Sequence, residues 1–453
     1  MISRRHLLGS GGVASAAAMA GASGLLGSWT GAGRAADSDY RALVVVFLQG
    51  GNDGHNTLIP VDGAFADYTA ARGNLALPRD SLVPLPGTAA GHSLAMHPGL
   101  APLVPLYQQG RLAWLSNVGP LVRPSSVAQV LANAVELPPF LLSHSEQVAI
   151  QQGWTVRDDT SGWAGRALEL LPSTLRHPVS AVTMSTQRTL VLGRRSRVSF
   201  MPRDGARYWG SADLSRPQTE SAQAIYRMAQ WQFANPYQAE YARTFGNAVS
   251  DATLFTNALL QATPATADFG TGDLADNLRA LASVLPVFKA QGLKRQVFLV
   301  SWGSFDTHAN QLGSANSSQD TQLGVLGKAL AAFDQTLQGG GLAHNVVTLM
   351  MSDFGRTLRP GSGGGSEHAW GNHWLALGGP VAGGTVHGVF PTLRLGGPDD
   401  GDRNANGRLV PSMATDQVGA TLMQWLGLPA GLVDEVFPNL VNFGQKTVPL
   451  LRA

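Results

Sequence analysis

Four apolar runs, each ending abruptly in small and polar residues, constrain this chain more than any other feature. Leu43-Val44-Val45-Val46-Phe47-Leu48 stops at Gln49-Gly50-Gly51-Asn52-Asp53-Gly54-His55-Asn56. Leu112-Ala113-Trp114-Leu115 stops at Ser116-Asn117-Val118-Gly119. Val297 to Trp302 is followed by Gly303-Ser304-Phe305-Asp306-Thr307-His308, and Val346 to Met351 by Ser352-Asp353-Phe354-Gly355-Arg356. Unbroken apolar runs of this length suit strands buried on both faces. Helical patterns precede three of them, over Pro98 to Gln109, Leu274 to Ala290 and Gln322 to Leu337. The alternation predicts an α/β fold with a mainly parallel central sheet and helices on both faces.

In open α/β sheets, ligands bind outside the carboxyl ends of the strands. Asp53, Asp306, His308 and Asp353 stand just past such ends, with His55 in the same class of position. Taken singly, each Asp is explained as a turn or helix cap. Taken together, they predict one shared site.

Composition narrows the partners. The formal net charge is +2 and no Lys/Arg stripe with interleaved aromatics occurs, so a nucleic-acid partner is not expected. Cysteine is absent, which excludes disulfides and thiolate metal sites. Residues 1–36 place Arg4-Arg5 before a weakly apolar Ala/Gly stretch that ends at Gly33-Arg34-Ala35-Ala36. This segment resembles a twin-arginine (Tat) signal peptide, with an uncleaved anchor as the alternative. The resemblance implies the Tat export machinery as a partner and a periplasmic or secreted location. No later segment is long and apolar enough to predict an integral span after processing. Residues 37–453 show no clear linker and read as one domain. Leu192 to Leu260 is poorer in strand signals and reads as an insertion that would cover the site.

Five constellations carry possible chemistry. Asp306 and His308, two apart in extended backbone, would point the same way and offer a metal a carboxylate and an imidazole. Asp353 at a buried strand end needs a partner, either a metal ion or Arg356. His368 and His373 flank Trp370 within Glu367-His368-Ala369-Trp370-Gly371-Asn372-His373; Trp370 and Trp374 wall a pocket or simply pack the core. Gly50-Gly51-Asn52-Asp53-Gly54 permits a sharp turn close to a ligand, with Asn52 and Asn56 as donors to an anion. Ser143-His144-Ser145 opens a helix expected over Glu146 to Gln152, so Ser143 is either an N-cap or a nucleophile at the helix dipole.

The ordered set of twin-arginine segment, G-G-N-D, S-H before a helix, D-T-H, S-D-F-G-R-T and a downstream His resembles the DUF1501 family. Gly378 to Gly388, and Asp416 to Leu428 followed by Phe437-Pro438-Asn439-Leu440, extend the match over nearly the whole mature chain. That family is similar in turn to the alkaline phosphatase and sulfatase superfamily. The resemblance implies an alkaline-phosphatase-like fold and a divalent metal ion, with zinc, calcium, magnesium and manganese not distinguished. It implies metal ligands at Asp53, Asp306, His308, Asp353 and His368. Ser143 falls at the nucleophile position, with Ser145 as competitor. The chain departs from the pattern in its narrow D-x-H spacing and in Phe354, which stands where phosphatases carry a metal His. A single metal, a substitute ligand such as His373, or loss of catalysis all fit these departures.

The leading expectation is an exported metal-dependent hydrolase of phosphate or sulfate esters, acting on an anionic small-molecule or polymer substrate. Ser143 would attack, His144 or His368 would move a proton, and Arg356 would clamp the anion. Asn52, Asn56 and His373 would line the substrate. The alternative from another class is a non-catalytic exported binding or scaffold protein of the same fold. An SGNH-type esterase is disfavoured, because no early G-D-S nucleophile precedes Asn52-Asp53.

Overall fold

A computed structural model describes residues 39–153, 159–204, 208–214 and 216–452. The twin-arginine segment expected over residues 1–36 lies outside the described residues. Among the described residues, no helix is long and apolar enough to cross a membrane.

The apolar runs form the centre of a nine-stranded sheet. In chain order its strands are β1 (Arg41–Leu48), β2 (Leu112–Gly119), β3 (Ala181–Thr183), β4 (Ser199–Phe200), β5 (Arg295–Trp302), β6 (Val346–Ser352), β7 (Asn372–Leu377), β8 (Thr385–His387) and β9 (Met413–Ala414). Their spatial order is β8-β2-β7-β6-β1-β5-β3-β4, with β9 also paired to β2. β1 pairs in parallel with both β5 and β6. β7 runs antiparallel to β6 and to β2. The sheet is therefore mainly parallel, as the alternation predicts, with one reversed strand.

Strand side chains alternate between two faces, so a strand buried on both sides feeds two cores. Val44 and Val46 join the core formed with Leu278, Leu281, Leu285, Phe288, Leu326 and Leu330. Leu43, Val45 and Phe47 join the other, formed with Ala164, Leu168, Val418, Leu422 and Leu426. The first core belongs to helices Asp273–Ala290 and Gln319–Gly339, and the second to Trp163–Leu170 and Thr415–Leu426. Their three- and four-residue spacings are those of a helix stripe facing a sheet. The pattern expected over Pro98 to Gln109 is realised as a 3-10 turn, Pro98–Leu103, then a short helix, Val104–Gln108. Pro102 and Pro105 lack the N–H that an uninterrupted α-helix needs.

The reversed direction of β7 matters for the site. Its first residues, Asn372 and His373, start at the carboxyl ends of β6 and β2. Between β6 and β7 the chain makes a small antiparallel hairpin, Arg356–Pro360 with Ser366–His368, in which Arg356 faces His368.

Candidate functional site

The hairpin folds over the carboxyl end of β5. Its glycine-rich turn packs on residues 307–309: Ser366 N–H donates to the Thr307 carbonyl at 3.0 Å. A Cβ on Gly365 would stand 2.0 Å from that carbonyl oxygen, so only glycine permits the approach. Beyond β5 the backbone is not extended. Thr307 N–H bonds the Phe305 carbonyl and His308 N–H the Asp306 carbonyl, at 2.8 and 3.0 Å. Asp306 and His308 still converge, through compact turns rather than through strand alternation.

Four side chains meet there. Asp306 Oδ1 lies 3.0 Å from His308 Nε2 and 3.1 Å from His368 Nε2. The two imidazole nitrogens are 3.0 Å apart. His144 Nε2 approaches Asp306 Oδ2 at 3.3 Å. Ligand atoms of His144, Asp306 and His368 all lie within 4.8 Å of one another, a grouping able to hold a metal ion.

The far nitrogen of each ring explains the orientation. His144 Nδ1 lies 3.0 Å from Asp353 Oδ2, His308 Nδ1 2.7 Å from Glu367 Oε2, and His368 Nδ1 2.7 Å from the Leu142 carbonyl. Carboxylates and carbonyls only accept, so each Nδ1 carries the proton. A ring that is neutral with its proton on Nδ1 presents the Nε2 lone pair to the centre. Acceptors behind imidazoles in this way are the usual support of metal-binding histidines. Phe354 packs at a tilt against two of the rings, with centroids 4.9 Å from His144 and 4.6 Å from His368. It forms an apolar wall of the cluster.

Charge tunes the cluster. Burial alone would raise the Asp306 carboxyl, but the hydrogen bond and charge of Arg356, then His368 and His308, hold it down to about 2. The Asp353 hydrogen bond raises the His144 ring above its ordinary value, against partial burial. Burial lowers His368.

Other expected residues stand elsewhere. Asp53 does not join the cluster. Its carboxylate pairs with Arg72, both side chains fully buried, and accepts from Gln311 Nε2 at 2.6 Å and His55 N–H at 3.0 Å. Burial would raise Asp53, but Arg72 lowers it. Asp353 pairs with His144 and the Gly50 N–H rather than with Arg356. Its Oδ1 is buried without a protein partner. Arg356 is fully buried and donates to the carbonyls of Gly50, Gly51, Phe305 and Ser366, and to Asp306. That engagement corrects the expectation of an anion clamp: the guanidinium holds three loops together.

Ser143 occupies the N-cap of helix His144–Gln151, yet its side chain caps no backbone group. Its hydroxyl donates to Glu146 instead. Asn52 and Asn56 are buried in structural bonds, Asn52 to Thr57 and Gln319, Asn56 to Leu75, Tyr68 and Arg72. They correct the expectation of substrate donors, because buried polar groups with partners in the fold have none to offer a ligand. His373 is buried against Asn117 N–H and stacked on Phe390, so it is no substitute ligand in this arrangement. Trp370 and Trp374 pack the second core.

Sequence reading missed Glu367 and Arg72. Glu367 adjoins His368, and its neighbourhood was a signal available in the chain. Arg72 had none, because its partner is chosen by a fold contact.

The family described as "Protein of unknown function (DUF1501)" matches residues 40–400. The chain belongs to the DUF1501 family. No curated protein matches it. Among solved structures, the lipoteichoic acid synthase LtaP from Listeria monocytogenes is 11% identical, with 86% of this chain and 73% of that chain covered and a TM-score of 0.34. A protein in the alkaline phosphatase superfamily from Vibrio parahaemolyticus is 9% identical over 86% and 67%, also at 0.34. The C-terminal periplasmic domain of EcEptC from Escherichia coli, in complex with Zn, is 10% identical over 86% and 83%, at 0.34. These likenesses are distant, and no residue role transfers from them to this DUF1501 chain.

Proposed function

We propose that this DUF1501 protein is an exported, metal-dependent hydrolase of phosphate or sulfate esters, with an alkaline-phosphatase-like fold. The observation that carries the reading is the convergence of three imidazole Nε2 atoms on Asp306, each ring held from behind by an acceptor. A set of three imidazole nitrogens and one carboxylate oxygen suits a divalent ion of the zinc type. Asp306, His308, His368 and His144 would hold it. A divalent ion there would supply Lewis acidity to the ester.

The chain's own groups do the rest. Asp353 Oδ2 holds the proton on His144 Nδ1. Asp353 Oδ1, buried and unpartnered, takes the proton of the attacking water as its oxygen bonds to phosphorus or sulfur; the bond to the ester's bridging oxygen breaks, and that oxygen leaves as the alcohol, protonated from solvent. Arg356 fixes Asp306 and keeps it ionised. Ser143 becomes the nucleophile only if its hydroxyl leaves Glu146.

The experiment is metal analysis of the purified mature protein, with turnover of an aryl phosphate and an aryl sulfate. Near-stoichiometric metal, lost in a His308→Ala/His368→Ala double variant together with turnover, is the expected result. Absence of bound metal after loading with zinc or manganese overturns the reading. Metal without turnover of any ester selects the second reading, a non-catalytic exported binding protein, which the engagement of Ser143 with Glu146 and the burial of Arg356 favour. Export rests on Arg4 and Arg5: changing both to Lys should retain the protein in the cytoplasm.

A further inference from the structure

Beside the ring cluster lies a cavity of about 450 Å³, within the ~300–1,000 Å³ range of small-molecule sites. His144 and Asp353 form one wall. The other wall is neutral: Gln49 directly after β1, Ser145 on the first turn of its helix, and Gln187 and Thr189 in the loop after β3. Besides Asp353, the cavity is lined by two loops and one helix next to the ring cluster.

What lines this wall is as informative as its position. Among the described residues, no Lys or Arg lines the cavity, and no Phe, Tyr or Trp. The side-chain amides of Gln49 and Gln187 and the hydroxyl of Thr189 have no hydrogen-bond partner among the described residues. Two amides and a hydroxyl offer both donors and acceptors. A second negative charge on a ligand would stand beside the Asp353 carboxylate, a like-charge approach that no Lys or Arg among the described lining residues offsets. A nucleobase or aryl group would find no Phe, Tyr or Trp face to stack on among the described lining residues.

We infer that this cavity receives the alcohol side of the ester, and that this alcohol is a neutral polyhydroxylated ring the size of one hexose. Gln49, Gln187 and Thr189 read its hydroxyls through paired donors and acceptors. Val148 and Ala149 offer an apolar surface to its C–H face. These are specificity residues for the reaction proposed above, and the inference rests on that hydrolase reading.

The test compares kcat/KM of the metal-loaded mature chain for glucose 6-phosphate and glucose 6-sulfate, phenyl phosphate and phenyl sulfate, 3-phosphoglycerate, and AMP. The hexose esters should exceed the other classes by about tenfold or more. Gln187→Leu should raise KM for the hexose ester about tenfold, roughly one strong hydrogen bond. It should also lower the hexose-to-phenyl ratio, and Thr189→Val should do the same more weakly. Preference for phenyl, carboxylate-bearing or nucleotide esters overturns the inference and leaves the hydrolase reading intact. So does an unchanged hexose-to-phenyl ratio in both variants. Turnover of no ester at all overturns the hydrolase reading and this inference with it.

Discussion

Asp353 accepts from His144 Nδ1 at 3.0 Å, across 209 residues of sequence, and this contact decides which nitrogen of His144 faces the cluster. Asp353→Asn keeps the size and removes the charge that holds the tautomer. Losing such a supporting carboxylate lowers metal affinity by roughly 10–100-fold. Chelator competition with zinc on wild type and variant measures the loss. Unchanged affinity would show that His144 needs no help from Asp353.

Asp53 and Arg72 form an ion pair with both side chains fully buried. Removing one partner of such a pair leaves an uncompensated charge and costs about 3–5 kcal/mol. Arg72→Met should therefore destabilise the protein by that amount in chemical denaturation, and Asp53→Asn by a similar or smaller amount. Metal content of the folded fraction should be unchanged in Asp53→Asn. Loss of metal without loss of stability would restore Asp53 to the ligand set expected from the sequence.

Ser143→Ala removes a hydroxyl that donates to Glu146 and caps no backbone N–H. The expected stability change is below about 1 kcal/mol, less than a true N-cap contributes. Ester turnover should survive. Abolished turnover with unchanged metal content and Tm would make Ser143 the nucleophile after all.

His55 and His373 are fully buried edge to face, with ring centroids 5.6 Å apart. Burial lowers His55 from 6.5 to about 4, and lowers His373 well below its ordinary value. The unfolded chain thus binds more protons than the folded one between these values, and stability rises with pH in that window. Acidification from pH 7 should cost stability progressively from about 6.5 down to about 4, of the order of 3 kcal/mol from His55 alone. Denaturation midpoints at pH 7, 6, 5 and 4.5 measure the slope. His55→Gln should flatten it; an equal slope in the variant would assign the acid sensitivity to other groups.

The sequence by itself determined the sheet and the end of it that carries chemistry. Apolar runs such as Leu43 to Leu48 announce doubly buried strands, because burial on both faces leaves no room for alternation. In a parallel sheet their polar stops fall on one side, which predicts one shared site from Asp53, Asp306, His308 and Asp353, with His368 added by the family resemblance. The tertiary structure alone decided which charge meets which. Asp353 could have paired with Arg356, three residues on, but Arg356 reaches Asp306, 50 residues away, while Asp353 takes His144. Asp53 has the same residue type and the same strand-end position as Asp353, yet Arg72 neutralises it. Residue type and spacing fix what a group can do; pairing depends on distance through space and on shared burial, which a carboxylate's neighbours in sequence do not encode.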